Sequence, residues 1–210
     1  MSTALVTFTF AATLIVLLPG PDTLVVLRNL LRHGRRRAAL TVAGVLCGLA
    51  VWVCAAALGL SALLRASHDA YTVLRLAGAA YLVFLGVQSL RARRPALGTP
   101  AELAAGGDRR GGLIGTGFGA GLATDLLNPK VGVFFVTFLP AFVPHGRPVG
   151  ATSILFGSIF IALTAAYFAL LLTLAGRIIA WMRDPRLQRR LDRATGLVLV
   201  GFGLRLAVES

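Results

Sequence analysis

Four side chains could do chemistry from inside otherwise apolar runs. Asp22 lies in LLPGPDTLVVL, residues 17–27, and Asp125, Asn128 and Lys130 lie in LATDLLNPKVGVFFV, residues 122–136. Each run is interrupted by proline. Pro19, Pro21 and Pro129 supply no backbone donor, and their rings disfavour a helix through them. Gly20 admits backbone angles that other residues avoid. The carbonyls freed at such a break need partners, and an ionisable group in an apolar helix costs at least about 2.5–3.5 kcal/mol on membrane-insertion scales, so it faces a partner or water. An acid, a base, an amide and free carbonyls together could hold both ends of a zwitterion. An acid could also carry a proton.

The two interruptions correspond. Pro19 is 15 residues after Ala4, and Asn128 is 15 residues after Leu113. Aligning Pro21 with Pro129 sets Asp22 against Lys130, opposite in sign. The expectation is that these two approach each other across a pseudo-twofold axis. Asp125, three residues before Asn128, is the other acid within an apolar run.

The elements that must position these groups are membrane spans. Of the 210 residues 57% are apolar and 14% charged, against about 25% charged in a soluble domain. Mean hydropathy is +0.81. So much apolar surface does not stay monomeric in water, which sets aside soluble enzymes and soluble nucleic-acid binders. Six segments approach the roughly 20 apolar residues of a span: residues 4–31, 38–64, 71–90, 113–143, 149–176 and 194–208. The expected fold is all-α and polytopic, with residues 1–90 and 113–210 as two inverted three-helix repeats, helices one and four broken. A basic linker with Pro95, Pro100, Gly106 and Gly107, residues 91–112, joins the halves within one transporter domain.

The net charge of +13 follows the same plan. Sixteen of the 21 basic residues fall in residues 28–37, 91–110 and 177–193, after spans one, three and five. Basic loops stay in the cytoplasm. All three share one side only if six spans alternate, which leaves both termini outside. The arginines read as topology signals and lipid headgroup contacts, and no nucleic-acid module surrounds them. The first segment carries no Lys or Arg and lacks the positive start of a cleaved signal peptide, so it is read as a retained span. Interrupted spans at matching positions of two inverted halves are the sequence pointer to a transporter binding site.

Other marks read more plainly. Cys47 and Cys54 are taken as small packed core residues, too far apart along a helix for a disulfide. No cluster suits a metal, and no cofactor is expected. Gly44 and Gly48 form a GxxxG that fits a contact inside the subunit or between subunits of a homo-oligomer. Gly115, Gly117, Gly119 and Gly121 are small-residue packing rather than a nucleotide loop, since no GxxxxGK follows. His33, His68 and His145 fall near loops and are read as solvated, so a proton carried within the spans would use Asp22 or Asp125. Trp52 is read as a packing residue that could line a substrate path.

At the interrupted spans the chain resembles the LysE-type (LysE/RhtB) amino-acid exporters. PGPDTLVVLRN from residue 19 is similar to that family's first-helix signature, and LNPKVGVFFVTFLPAFV, residues 127–143, to its second. LAGAAYLVFLG, residues 76–86, and TGLVLVGFGLRLA, residues 195–207, resemble its third and last spans. The resemblance implies a cytoplasmic (inner) membrane exporter of amino acids or close derivatives, driven by an ion gradient. It also implies that Gly20, Pro21, Asp22, Asn128, Pro129 and Lys130 occupy the family's motif positions. Asn is frequent in the family where this chain has Asp125, so an acid there would alter substrate charge preference or proton coupling.

The resulting expectation is a secondary transporter, not an enzyme, working by alternating access around the two breaks. Its partners are an amino-acid substrate, a proton or other coupling ion, and lipid. Lys130 or a half-helix N-terminus would meet a carboxylate, and Asp22, Asp125 or freed carbonyls would meet an ammonium. Two alternatives differ in class. An inorganic-cation exporter or channel would use the acids but has no ring of them. An intramembrane enzyme would want a GxGD aspartate pair or a Ser/His pair, and neither is present.

Overall fold

The computed structural model describes residues 2–60, 68–91, 116–144, 146–174 and 185–208. Most of the basic linker, His145 and Trp181 lie outside the described residues, as do the side chains of His68, Tyr71, Arg75 and Arg205. Among the described residues all regular structure is helical.

Helix α1 (Ser2–Leu17) ends just before Pro19, and α2 (Pro21–Ala55) begins on Pro21. Proline suits the first helical position because its missing N–H would have no intrahelical partner there. The expected basic loop after the first span is almost absent. Helix α2 runs from Asp22 through the arginines to Ala55, and the chain turns at Gly34 alone, with φ +77°. A side chain would strain that conformation. Arg35 then donates to the Leu172 carbonyl through Nε at 3.1 Å and Nη2 at 2.7 Å. This pins the kink to the carbonyl end of α7 (Val149–Thr173).

A π-helical turn (Ala56–Leu60) ends α2, and α3 spans His68–Arg91. Helix α4 (Gly117–Leu126) stops two residues short of α5 (Pro129–Val133). A π-helical turn (Phe134–Phe138) and α6 (Leu139–Ala141) follow, then α7 and α8 (Pro185–Val208).

Two helical stretches among the described residues are long and apolar enough to cross a membrane, Pro21–Gly59 and Val149–Thr173. The others fall short for visible reasons. Helices α1 and α4 stop at the proline-containing segments. Helix α8 has four arginines and an aspartate among its first nine residues.

Helix α2 packs on α4 and α7, α1 on α7, and α3 on α8. The α2–α4 contact is main chain against main chain. A Cβ on Gly44 would overlap the Phe118 carbonyl, and one on Gly121 would overlap the Thr41 carbonyl. The GxxxG pair therefore serves a contact inside the subunit. Cys47 and Cys54 are both exposed on α2, which corrects their reading as core residues. The Gly face of α2 turns to α4, so Cys47 points away from it.

The core is rich in phenylalanine. Phe8 of α1 stacks on Phe156 of α7 at 4.5 Å, and Phe134 meets Phe160 at 4.5 Å. The π-helical turn buries the consecutive Phe134 and Phe135 together. Apolar side chains also cover the outside. Phe10, Val51, Val73, Ile154, Leu170 and Leu197 are exposed on five different helices. A water-soluble fold would hide such surface.

Candidate functional site

The two helix interruptions lie side by side. Where α1 ends, its last carbonyls run out of regular intrahelical donors, although the Ile15 carbonyl accepts from Leu18 N at 3.2 Å. Lys130 supplies one from the other half of the chain: its Nζ donates to the Leu18 carbonyl at 3.0 Å and to the Ile15 carbonyl at 3.5 Å. A cation at a helix carbonyl end is the favourable placement for the helix dipole. Where α4 ends, the Asp125 carbonyl accepts from Asn128 N at 3.0 Å and from the Trp52 indole Nε1 at 3.4 Å.

Asn128 holds the centre of the second interruption. Its Oδ1 caps α5 by accepting from Lys130 N at 3.1 Å, and its Nδ2 donates to Asp22 Oδ2 at 2.7 Å. Asp22 and Lys130 line the same chamber, and the hydrogen bonds they make there are crossed. Asp22 takes the amide of Asn128, and Lys130 takes the carbonyls of α1. Each charged group thus bonds to the opposite half, but to an uncharged partner.

Gly20, Asp22, Asp125 and Lys130 line one chamber of about 30 Å³ with Ile15, Leu18, Thr23, Val45, Leu49, Phe160, Thr164, Tyr167 and Phe168. Gly20 leaves room for the ammonium, since a Cβ there would come within 3.1 Å of Lys130 Nζ. Pro21 starts α2 and does not line the chamber. Pro129 starts α5 and, with Asn128, lines a second, more open cleft of about 580 Å³ alongside Trp52, Tyr81, Leu127 and Gly132. The Trp52 ring lies against Gly132, where a Cβ would come within 3.1 Å. Trp52 and the α4–α5 junction therefore separate chamber from cleft.

Four buried polar atoms of chamber-lining residues have no partner among the described residues: Asp22 Oδ1, both carboxyl oxygens of Asp125, and Thr164 Oγ1. Buried polar groups are normally paired, so their gathering at one cavity marks a place for a polar guest. Thr23, Thr164 and Tyr167 are site residues that the sequence reading missed. Tyr167 OH and Thr23 Oγ1 lie 3.5 Å apart. A signal was available, because Phe160, Thr164, Tyr167 and Phe168 recur at helical spacing and share one face of α7. His33 is exposed on α2 and has no part in the chamber.

The chain is similar to known proteins along nearly its whole length. The LysE type translocator family profile matches residues 13–210. An uncharacterised membrane protein of Bacillus subtilis is 31% identical across 94% of this chain and 95% of its own length. The homoserine/homoserine lactone efflux protein of Salmonella typhi is 32% identical across 95% of this chain and 94% of its own. The threonine efflux protein of Escherichia coli is 31% identical across 91% of both chains. No solved structure matches the chain. With nearly its whole length matched, the chain belongs to the LysE type translocator family.

Proposed function

We propose that this protein is a secondary transporter of the cytoplasmic (inner) membrane that exports amino acids or close derivatives in exchange for protons. The observation that carries the reading is the chamber, where two acids, one lysine and two helix interruptions meet beside unpaired polar atoms. Such a chamber offers both charge signs. A substrate ammonium would face Asp22 and Asp125, and a carboxylate would face Lys130. Relatives named for homoserine and threonine efflux favour small zwitterions over a bare inorganic cation, which Lys130 would repel.

The packing favours two inverted repeats, residues 1–90 and 113–210, joined by the basic linker. Exchanging the halves turns the α2–α4 contact into the α7–α1 contact and maps α3–α8 onto itself. The site would then lie where the halves cross, as in transporters with interrupted spans. The charge distribution favours both termini outside and the arginine-rich connections in the cytoplasm. A chamber of about 30 Å³ holds no more than a water or two, so an amino acid enters only when the halves move apart. That is the requirement of alternating access.

The test is efflux of a panel of labelled amino acids from proteoliposomes under an imposed pH gradient. Gradient-dependent efflux of a few amino acids is the expected result. Efflux of an inorganic cation and of no amino acid would overturn the reading.

A further inference from the structure

The chamber contains two acids, and their surroundings differ. One oxygen of Asp22 is already held by Asn128 Nδ2 at 2.7 Å. Asp125 is fully buried, and neither of its carboxyl oxygens has a partner among the described residues. Its main chain is nonetheless fixed, because Asn128 N and the Trp52 indole both donate to its carbonyl. Its carboxyl is backed by Gly48, where a Cβ would overlap it. The site thus holds Asp125 in place while leaving its oxygens free.

The charged and titratable groups around it are few. Among the described residues, helix α2 contributes Asp22, α5 contributes Lys130 and α7 contributes Tyr167, while α1 and the residue after it contribute only the apolar Ile15, Val16 and Leu18. Lys130 is engaged by the α1 carbonyls, and Tyr167 by Thr23. A carboxylate buried without a donor is costly, so it binds a proton or a cationic partner.

We propose that Asp125 is the coupling residue, at which a proton and the substrate's ammonium group alternate, and that Asp22 acts in positioning. This rests on the exporter reading. On the cytoplasmic side the arriving ammonium displaces the proton: the carboxyl O–H breaks, the proton passes to cytoplasmic water, and the carboxylate pairs with the ammonium. On the outer side the substrate leaves with its own protons, and external water supplies one proton to the carboxylate. One zwitterion moves out for each proton moved in.

The experiment compares wild type, Asp125→Asn and Asp22→Asn in proteoliposomes with labelled threonine as probe. Exchange without a gradient and accumulation driven by a pH gradient are measured separately. Asp125→Asn removes the ammonium's charged partner, so exchange is expected to fall by roughly ten- to hundredfold, the loss of a charged hydrogen bond, and the exchange that remains is expected not to be driven by the pH gradient. Asp22→Asn is expected to lose both. Accumulation driven by the pH gradient that survives in Asp125→Asn overturns the proposal, and where a folded Asp125→Asn protein loses both activities the labelling below decides. A second measurement needs no variant. A carbodiimide, which modifies protonated carboxyl groups in apolar surroundings, should label Asp125 in the wild type, with threonine protecting it. Labelling at Asp22 instead, or labelling that threonine does not reduce, overturns the proposal. Wild type that moves no amino acid at all would reject the exporter reading instead.

Discussion

The two helix interruptions solve one problem with different chemistry. At the first, the carbonyl end of α1 is met by an ammonium, Lys130 Nζ, at 3.0 Å from the Leu18 oxygen. At the second, the carbonyl end of α4 is met by a neutral indole, Trp52 Nε1, at 3.4 Å from the Asp125 oxygen. The restarts differ too. Helix α5 has its own side-chain cap, Asn128, whereas α2 begins at Gly20 with none. The second interruption therefore supplies its own cap, the donor for Asp22 and the cation for α1. The first supplies an acid and a set of open carbonyls. A matched pair in sequence becomes a giver and a receiver in structure, and the asymmetry ties the halves together.

Breaking the giver should have the largest effect. In Lys130→Ala the Leu18 carbonyl loses the ammonium that donates to it, the Ile15 carbonyl is left with Leu18 N, and the two acids lose the cation that shares their chamber. A lost bond from a charged group costs about 1.5–3 kcal/mol. Midpoints shift by roughly 2–4 °C per kcal/mol at this chain length, so thermal unfolding in detergent should show a fall of several degrees. Lys130→Arg should not restore the wild-type value, since a planar guanidinium does not replace a compact ammonium.

Next comes the frame that sets the second interruption against α2. Gly121→Ala would press a methyl group into the Thr41 carbonyl, and overpacking of this kind costs about 1–3 kcal/mol. The same thermal measurement should show a lowered midpoint. Gly201→Ala is the control: a Cβ there meets nothing within 4 Å, so the midpoint should not fall.

Asn128→Ala removes the α5 cap and frees the second oxygen of Asp22. Losing a cap costs about 0.5–2 kcal/mol. Asn128→Asp should recover the cap but set a second acid against Asp22. A midpoint for Asn128→Asp below that for Asn128→Ala would show that the amide bond to Asp22 outweighs the cap. The smallest effect is expected from Trp52→Phe, which keeps a ring against Gly132 and loses one long neutral bond worth about 1 kcal/mol or less. A fall as large as that of Lys130→Ala would erase the contrast between the two interruptions.

Much of this was legible in the residues. Proline in the interior of an apolar run is a strong local signal, and α1, α2, α4 and α5 begin or end beside Pro19, Pro21 and Pro129. Asp22, Asp125 and Lys130 were legible because charge in such a run is rare. The crossed bonding was not. Alignment of the two interruptions sets Asp22 against Lys130 but does not say which groups they bond, since donors go where open carbonyls lie, and only packing reveals that. Tyr167 and Thr164 stayed hidden because a hydroxyl in an apolar helix is common and carries no sign of which face it occupies. Five arginines surround the turn at Gly34 and suggest a loop, but the two helical stretches meet there across a single non-helical residue. Charge marks where a chain meets water, not how many residues the turn takes. Cys47 was misplaced for a related reason: in a chain apolar on all sides, hydrophobic character does not separate inside from outside.

The central claim is that both interruptions form one binding site. Its most direct test is gradient-driven efflux of labelled threonine or homoserine from proteoliposomes holding equal amounts of folded wild type, Asp22→Asn or Lys130→Ala. The account predicts loss of efflux in both variants, one from each half of the chain. Wild-type efflux from either variant would contradict it.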